Sequence, residues 1–171
     1  MDLNGKRQML LHFLGALAYR TQKALRGAGP DFENFEAGNR TRTPMELVRH
    51  MTSVLGYART FFIGGSYPRP EPVDTMDAEV ARFHAMLEDL GRHIRNGSPM
   101  LNGMTEEQML QGPFSDAMTH GGQIAMLRRL AGDPVAPENF IVANISGEQL
   151  SQHQPEPASP DAEWPEAPRL K

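Results

Sequence analysis

The clearest helix signal in this 171-residue chain lies in residues 43–63, TPMELVRHMTSVLGYARTFFI. Thr43 supplies an N-cap hydroxyl, Pro44 suits the first helical position, and Glu46 completes a capping box. Apolar residues then recur at steps of three and four, which is typical of one helix face. These residues are Leu47, Met51, Val54, Leu55, Ala58 and Phe62. The stretch predicts a helix with one buried face that ends at Gly64.

Helical spacing on both sides of this stretch predicts three more long helices. They cover about residues 6–25, 74–95 and 113–131, separated by clusters of glycine and proline. A short helix is predicted from Thr105. Strand evidence is limited to the short apolar run 140–142. We therefore predict an all-α protein: a four-helix bundle with long crossover loops, one short extra helix and an extended Pro-rich C-terminal tail.

The length fits a single domain, and the composition changes near its end. From Ser151 onward prolines alternate with polar residues, so this part has too little apolar surface to fold alone. The predicted organisation is a bundle domain over residues 1–150 and a Pro-rich tail over residues 151–171. Trp164, the only tryptophan, is either an exposed tail residue or docks on the body or on a partner subunit.

The composition excludes several classes of function. The chain has no cysteine, which removes disulfides, Cys-ligated zinc, iron–sulfur clusters and thiol nucleophiles. A net charge of -4 without a Lys/Arg cluster argues against nucleic acid and anionic membranes as partners. No apolar run approaches the roughly 20 residues of a membrane span, and residues 1–5 lack the start of a signal peptide. We expect a cytoplasmic protein.

Three polar residues fall on apolar helix faces. His50 lies three residues after Leu47 and shares the inward face of the second helix. Asp116 and His120 are four residues apart on the last long helix, and the same line continues into Ile124. All three side chains are therefore predicted to point into the bundle.

Burying a carboxylate with an imidazole is costly unless the two groups are paired or bind a cation. Two histidines and one aspartate suit zinc, nickel, iron or manganese, and three protein ligands leave a position open for water or substrate. The alternative is a hydrogen-bonded Asp116–His120 pair near the start of the helix, where the helix dipole favours a carboxylate. His84 flanks the face of the third helix, either as a group supporting the ligands or as a core histidine.

Two segments resemble the DinB-like superfamily, the four-helix bundles of damage-inducible proteins and thiol-dependent S-transferases. They are residues 120–132, HGGQIAMLRRLAG, and residues 43–50, TPMELVRH. With helix number and order, the resemblance covers about residues 6–132 and excludes the tail. It implies a divalent metal held by one histidine on the second helix and two, four residues apart, on the last. His50 and His120 match, whereas Asp116 stands where a histidine is usual, which keeps a ligand but alters the metal preference.

The resemblance also implies a function. In relatives the metal activates the thiol of a small cofactor, so it implies a metal-dependent S-transferase with a low-molecular-weight thiol cosubstrate and a small-molecule substrate. It implies that Gln123 orients a metal ligand. It also implies that the protein forms a homodimer. Two alternatives stay open: a non-catalytic, dimeric, stress-related binding protein, and a metal-dependent hydrolase that uses the same three ligands with water as the nucleophile.

Overall fold

The computed structural model describes residues 4–161, 163 and 164, and this part of the chain is all-helical, as predicted. Its helices are α1 (Gly5–Leu25), α2 (Pro44–Ile63), α3 (Met76–Arg95), the short α4 (Glu106–Met109) and α5 (Ser115–Leu130). The described residues contain no strand, only an isolated bridge between Glu138 and Pro160. None of these helices combines the length and apolar character needed to cross a membrane. The predictions for residues 1–3 and for the end of the tail, residues 165–171, lie outside the described residues.

The helix starts follow the capping signals of the sequence. At α2, the Glu46 amide donates to the Thr43 hydroxyl at 3.3 Å, and the Glu46 carboxylate accepts from the Thr43 amide at 2.9 Å. Thr75 caps α3 through its hydroxyl. Thr105 and Gln108 form a second capping box at α4. Such caps satisfy backbone N–H groups that have no partner within the helix.

The start of α5 differs from the prediction. The regular helix begins at Ser115 rather than near Pro113, because residues 110–114 form a wide helical turn. Gly112, at φ -91° and ψ -106°, leaves the helical region within this turn. Pro113 also lacks the N–H that a regular helix requires. The chain therefore bends here before α5 enters the bundle.

The helices pack so that α1 and α2 each contact both α3 and α5. Helices α1 and α2 therefore lie diagonally, and the segment 26–43 crosses the bundle between them, with a 3-10 turn at Pro30–Asn34. The predicted apolar face of α3 is buried as expected. Its fully enclosed members are Phe83, Leu87, Leu90 and Ile94.

After α5 the chain returns across α1 and α3 as an irregular segment with several turns, residues 133–161, which we call the strap. Leu150 within it is 2% exposed and belongs to the core. The Arg26 guanidinium on α1 donates to the carbonyls of Gln154 and Pro155, at 2.8 and 3.1 Å. The described start of the Pro-rich tail thus lies along the body. Trp164 is half-buried, and its indole N–H is buried without a partner among the described residues.

Backbone-to-backbone contact fixes the strap on α1. A Cβ atom added at Gly15 would lie 2.4 Å from the Ser146 carbonyl oxygen, and one added at Gly147 would lie 2.9 Å from backbone atoms of Leu11. Real Cβ atoms do not approach other atoms this closely. The two glycines therefore let the strap and the helix approach more closely than any larger residue allows.

Gly15→Ala is expected to lower the free energy of unfolding by roughly 2 kcal/mol, because the added methyl group meets backbone that cannot rotate away. Gly122→Ala on α5 is the matched control. A Cβ atom there has nothing within 4 Å, so the change should stabilise the helix by about 0.5–1 kcal/mol. Urea denaturation of both variants measures the difference. Equal stability of the two would show that the strap is not held against α1.

Candidate metal centre

The structure brings His50, Asp116 and His120 together between α2 and α5. One ligand atom from each lies within 4.8 Å of the others. The His120 Nε2 atom is 3.2 Å from Asp116 Oδ1, and the two imidazole rings are 4.7 Å apart between centroids, inclined at 75°. Two ligands of one tetrahedral zinc ion are separated by about 3.3 Å. The separation of the His120 and Asp116 atoms therefore fits one ion.

Burial differs among the three side chains. The His120 side chain is 10% exposed and His50 is half-buried, but the Asp116 side chain is 51% exposed. The prediction that the Asp116 side chain points into the bundle was therefore wrong. Asp116 lies in the first turn of α5, immediately after the bend at Gly112, where the helix is still at the rim of the bundle.

Gln123 fixes the orientation of the His120 ring. Its Oε1 atom lies 2.8 Å from His120 Nδ1, so a proton on Nδ1 donates to this amide oxygen. The Nε2 lone pair then faces the Asp116 oxygen, and a metal ion or a second proton between these two acceptors would join them. With the Gln123 amide rotated, Nε2–H instead donates to Asp116, and the pair is satisfied without an ion.

Electrostatics keep His50 ready to act as a ligand. Burial is the main cause that lowers the pKa of His50 below its usual value, and the positive charge of Arg42 lowers it further. His120 and Arg69 act in the same direction, while Asp116 opposes them. Since only the neutral imidazole binds a metal, the lowered pKa favours the ligand form at neutral pH.

Two cavities meet at this group. The first, about 520 Å³, we call the arginine cavity. It is lined by Arg40, Arg42, Arg69, Glu71, His50 and Ser53. The second, about 660 Å³, we call the Tyr57 cavity. It is lined by Ser53, Val54, Tyr57, Gln111, Asp116 and Thr119. His50 borders one cavity and Asp116 the other, so the group can be reached from two sides.

The remaining histidines do not join the group. His84 is buried against α1 and the strap, where its Nδ1–H donates to the Leu150 carbonyl at 2.7 Å. It is a core histidine and does not support the ligands. His93 stacks on Phe62, with ring centroids 5.2 Å apart and nearly parallel planes.

The sequence reasoning missed the three arginines of the arginine cavity. Arg40 and Arg42 precede α2, and Arg69 lies between two prolines after it. A scan for local runs of Lys and Arg finds no cluster, because the fold assembles this one from two loops. The only local signal was the length of the loop before α2, since long loops are often functional.

The donor set of two imidazoles and one carboxylate suits a divalent ion such as zinc, nickel, iron or manganese, with a coordination position left open. The sequence matches no protein-family model, and the chain matches no curated protein and no solved structure. The DinB-like resemblance therefore depends on the residues of α2 and α5 quoted above, together with the number and order of the helices.

Proposed function

We propose that the protein is a metal-dependent thiol S-transferase in which His50, Asp116 and His120 hold a divalent ion. The observation that carries the proposal is that this group borders two cavities, one at His50 and the other at Asp116. A transfer reaction joins two substrates, a thiol and an electrophile. Two routes to one group of ligands would allow both substrates to reach it at once.

The chain itself supplies no thiol, because it contains no cysteine. The sulfur must therefore come from a diffusible cosubstrate. A divalent cation held by His50, Asp116 and His120 would lower the pKa of such a thiol and so favour its nucleophilic thiolate form. The carbon–sulfur bond forms as the bond to the leaving group breaks, and the thiol proton is released to solvent.

The residues around the ligands have separate tasks in this proposal. Gln123 holds His120 in the tautomer whose Nε2 atom is free to bind. Burial and nearby arginines keep His50 neutral. Ser53 borders both cavities, and its hydroxyl can donate to a substrate oxygen on either side.

The test measures thiol consumption by protein purified without an affinity tag and loaded in turn with zinc, nickel, iron(II) or manganese. The probes are 1-thioglycerol and 1-chloro-2,4-dinitrobenzene, with 4-nitrophenyl acetate as a separate ester substrate. We expect metal-dependent thioether formation that EDTA and His120→Ala abolish, while His12→Ala, at an exposed position on α1, has no effect.

Two results would contradict the proposal. Ester hydrolysis without thiol consumption would assign the ligands to a hydrolase. Stoichiometric metal with neither activity would favour the non-catalytic binding protein.

A further inference from the structure

Three arginines stand apart from the others in the described residues. Arg40, Arg42 and Arg69 make no hydrogen bond, ion pair or ring contact. Every other arginine between residues 4 and 161 has such a partner. All three unpartnered guanidinium groups line the arginine cavity beside His50. Each of these guanidinium groups has five N–H donors, which are available to water or to a ligand.

The charge of this cavity is opposite to that of the whole chain. Four arginines and two glutamates line it, whereas the chain carries a net charge of -4. The fourth arginine, Arg49, is paired with the buried Glu79 at 2.6 Å, a carboxylate that it shares with Arg82. Glu46 is engaged in the capping box of α2. With Glu46 and Glu71 counted, the four arginines leave the lining with a formal net charge of +2. An anion among the three unpartnered arginines would reduce their mutual repulsion.

The two loops that carry these arginines are held in defined conformations. Asn39 and Arg40 both have positive φ angles, 52° and 60°, which is uncommon for residues other than glycine and indicates a constrained turn. On the other side, the Tyr67 ring lies against Gly56 of α2. A Cβ atom at Gly56 would be 2.2 Å from that ring. Prolines on both sides of Arg69 then restrict the chain next to this contact.

We propose that the arginine cavity binds an anionic group of the small-molecule substrate, a carboxylate or a phosphate, and thereby places the reacting part of that substrate beside His50. This rests on the proposed function, because it assigns one of the two substrates to this cavity. Guanidinium groups bind both oxyanions through paired, charge-assisted hydrogen bonds. The Tyr57 cavity, which has no arginine in its lining, is left for the other substrate.

The experiment measures anion binding separately from metal binding. Isotope-labelled protein, freed of metal with EDTA and then dialysed into EDTA-free buffer of low ionic strength, is titrated with succinate, inorganic phosphate or the neutral 1,4-butanediol, and followed by two-dimensional NMR. We expect saturable shifts of amides in both loops with one or both anions and none with butanediol. Comparison of succinate with phosphate identifies the oxyanion. The double variant Arg42→Gln/Arg69→Gln should weaken binding by at least about 10-fold.

Arg92→Gln is the matched control, because Arg92 is an exposed arginine on α3 paired with Asp89, and it should leave anion binding unchanged. Absence of binding by either anion, or equal binding in the double variant, would overturn the inference. Zinc titration of separate portions of the same protein, free of EDTA and of the two anions, separates the two proposals. Anion binding without zinc binding removes only the transferase, and zinc binding without anion binding removes only the arginine site.

Discussion

His120→Ala is expected to lower the affinity for a divalent metal by more than about 100-fold, while the helix content stays close to that of the unchanged protein. Loss of a residue that only orients a ligand typically costs 10–100-fold in metal affinity, so loss of a ligand should exceed that range. The His120 side chain is 10% exposed and packs against the His50 ring. Truncation therefore leaves a small cavity at the rim of the bundle and does not disrupt its centre.

Competition with a chelating dye measures the affinity, and circular dichroism measures the helix content. Gln123→Ala should fall between His120→Ala and the unchanged protein, because it removes only the acceptor for His120 Nδ1. Asp116→His, which supplies an imidazole at the same place, should retain metal with a changed preference among ions. Equal metal content in His120→Ala and the unchanged protein would show that the Asp116–His120 contact is only a hydrogen-bonded pair.

The helical framework could be predicted because its signals are local. The capping box of Thr43 and Glu46 fixes the start of α2, and the spacing of apolar residues along α3 matches its buried face. The clustering of His50 with Asp116 and His120 followed from helix periodicity and from packing of the last helix on the second. The exposure of Asp116 could not be predicted, since it depends on the bend at Gly112.

The strap and the arginine cavity had no comparable signal. Residues 133–161 have no helical or strand periodicity. They are positioned by contacts with distant residues, such as Gly15 and His84. Composition alone predicted that the tail cannot fold by itself, and it left open which surface the tail would lie on. The arginine cavity likewise joins loops before and after α2, so its charge becomes evident only in three dimensions.

Buried His84 should make the protein markedly less stable as the pH falls from 7.5 to 4.5. Burial is the main cause that lowers its pKa from 6.5 to about 4, while the hydrogen bond to Leu150 acts in the opposite direction and the charge of His153 lowers it further. The residue is 3% exposed. Its neutral form is fully satisfied, since Nδ1–H donates to the Leu150 carbonyl and Nε2 accepts from the Gln22 amide at 3.0 Å.

The direction follows from proton uptake. Above pH 6.5 the histidine is neutral in both the folded and the unfolded chain, so its contribution to stability is fully present. Between pH 6.5 and about 4 the unfolded chain binds the proton and the folded chain does not, which favours unfolding. Over the interval from pH 7.5 to 4.5 this difference amounts to roughly 2.5 kcal/mol at this one position.

Urea denaturation at several pH values, compared with His84→Asn, isolates this contribution from that of the carboxylates. An asparagine can place its amide N–H near the Nδ1 position and donate to Leu150, but it is too short to replace the Nε2 acceptor and it does not titrate. The variant should therefore be less stable at pH 7.5 and should lose stability more gradually with acid. Parallel pH profiles for the two proteins would mean that His84 is accessible to protons in the folded state. Because His84 holds the Leu150 carbonyl, amides near Leu150 should also exchange faster at pH 4.5 than the core amides of α3, relative to their intrinsic rates.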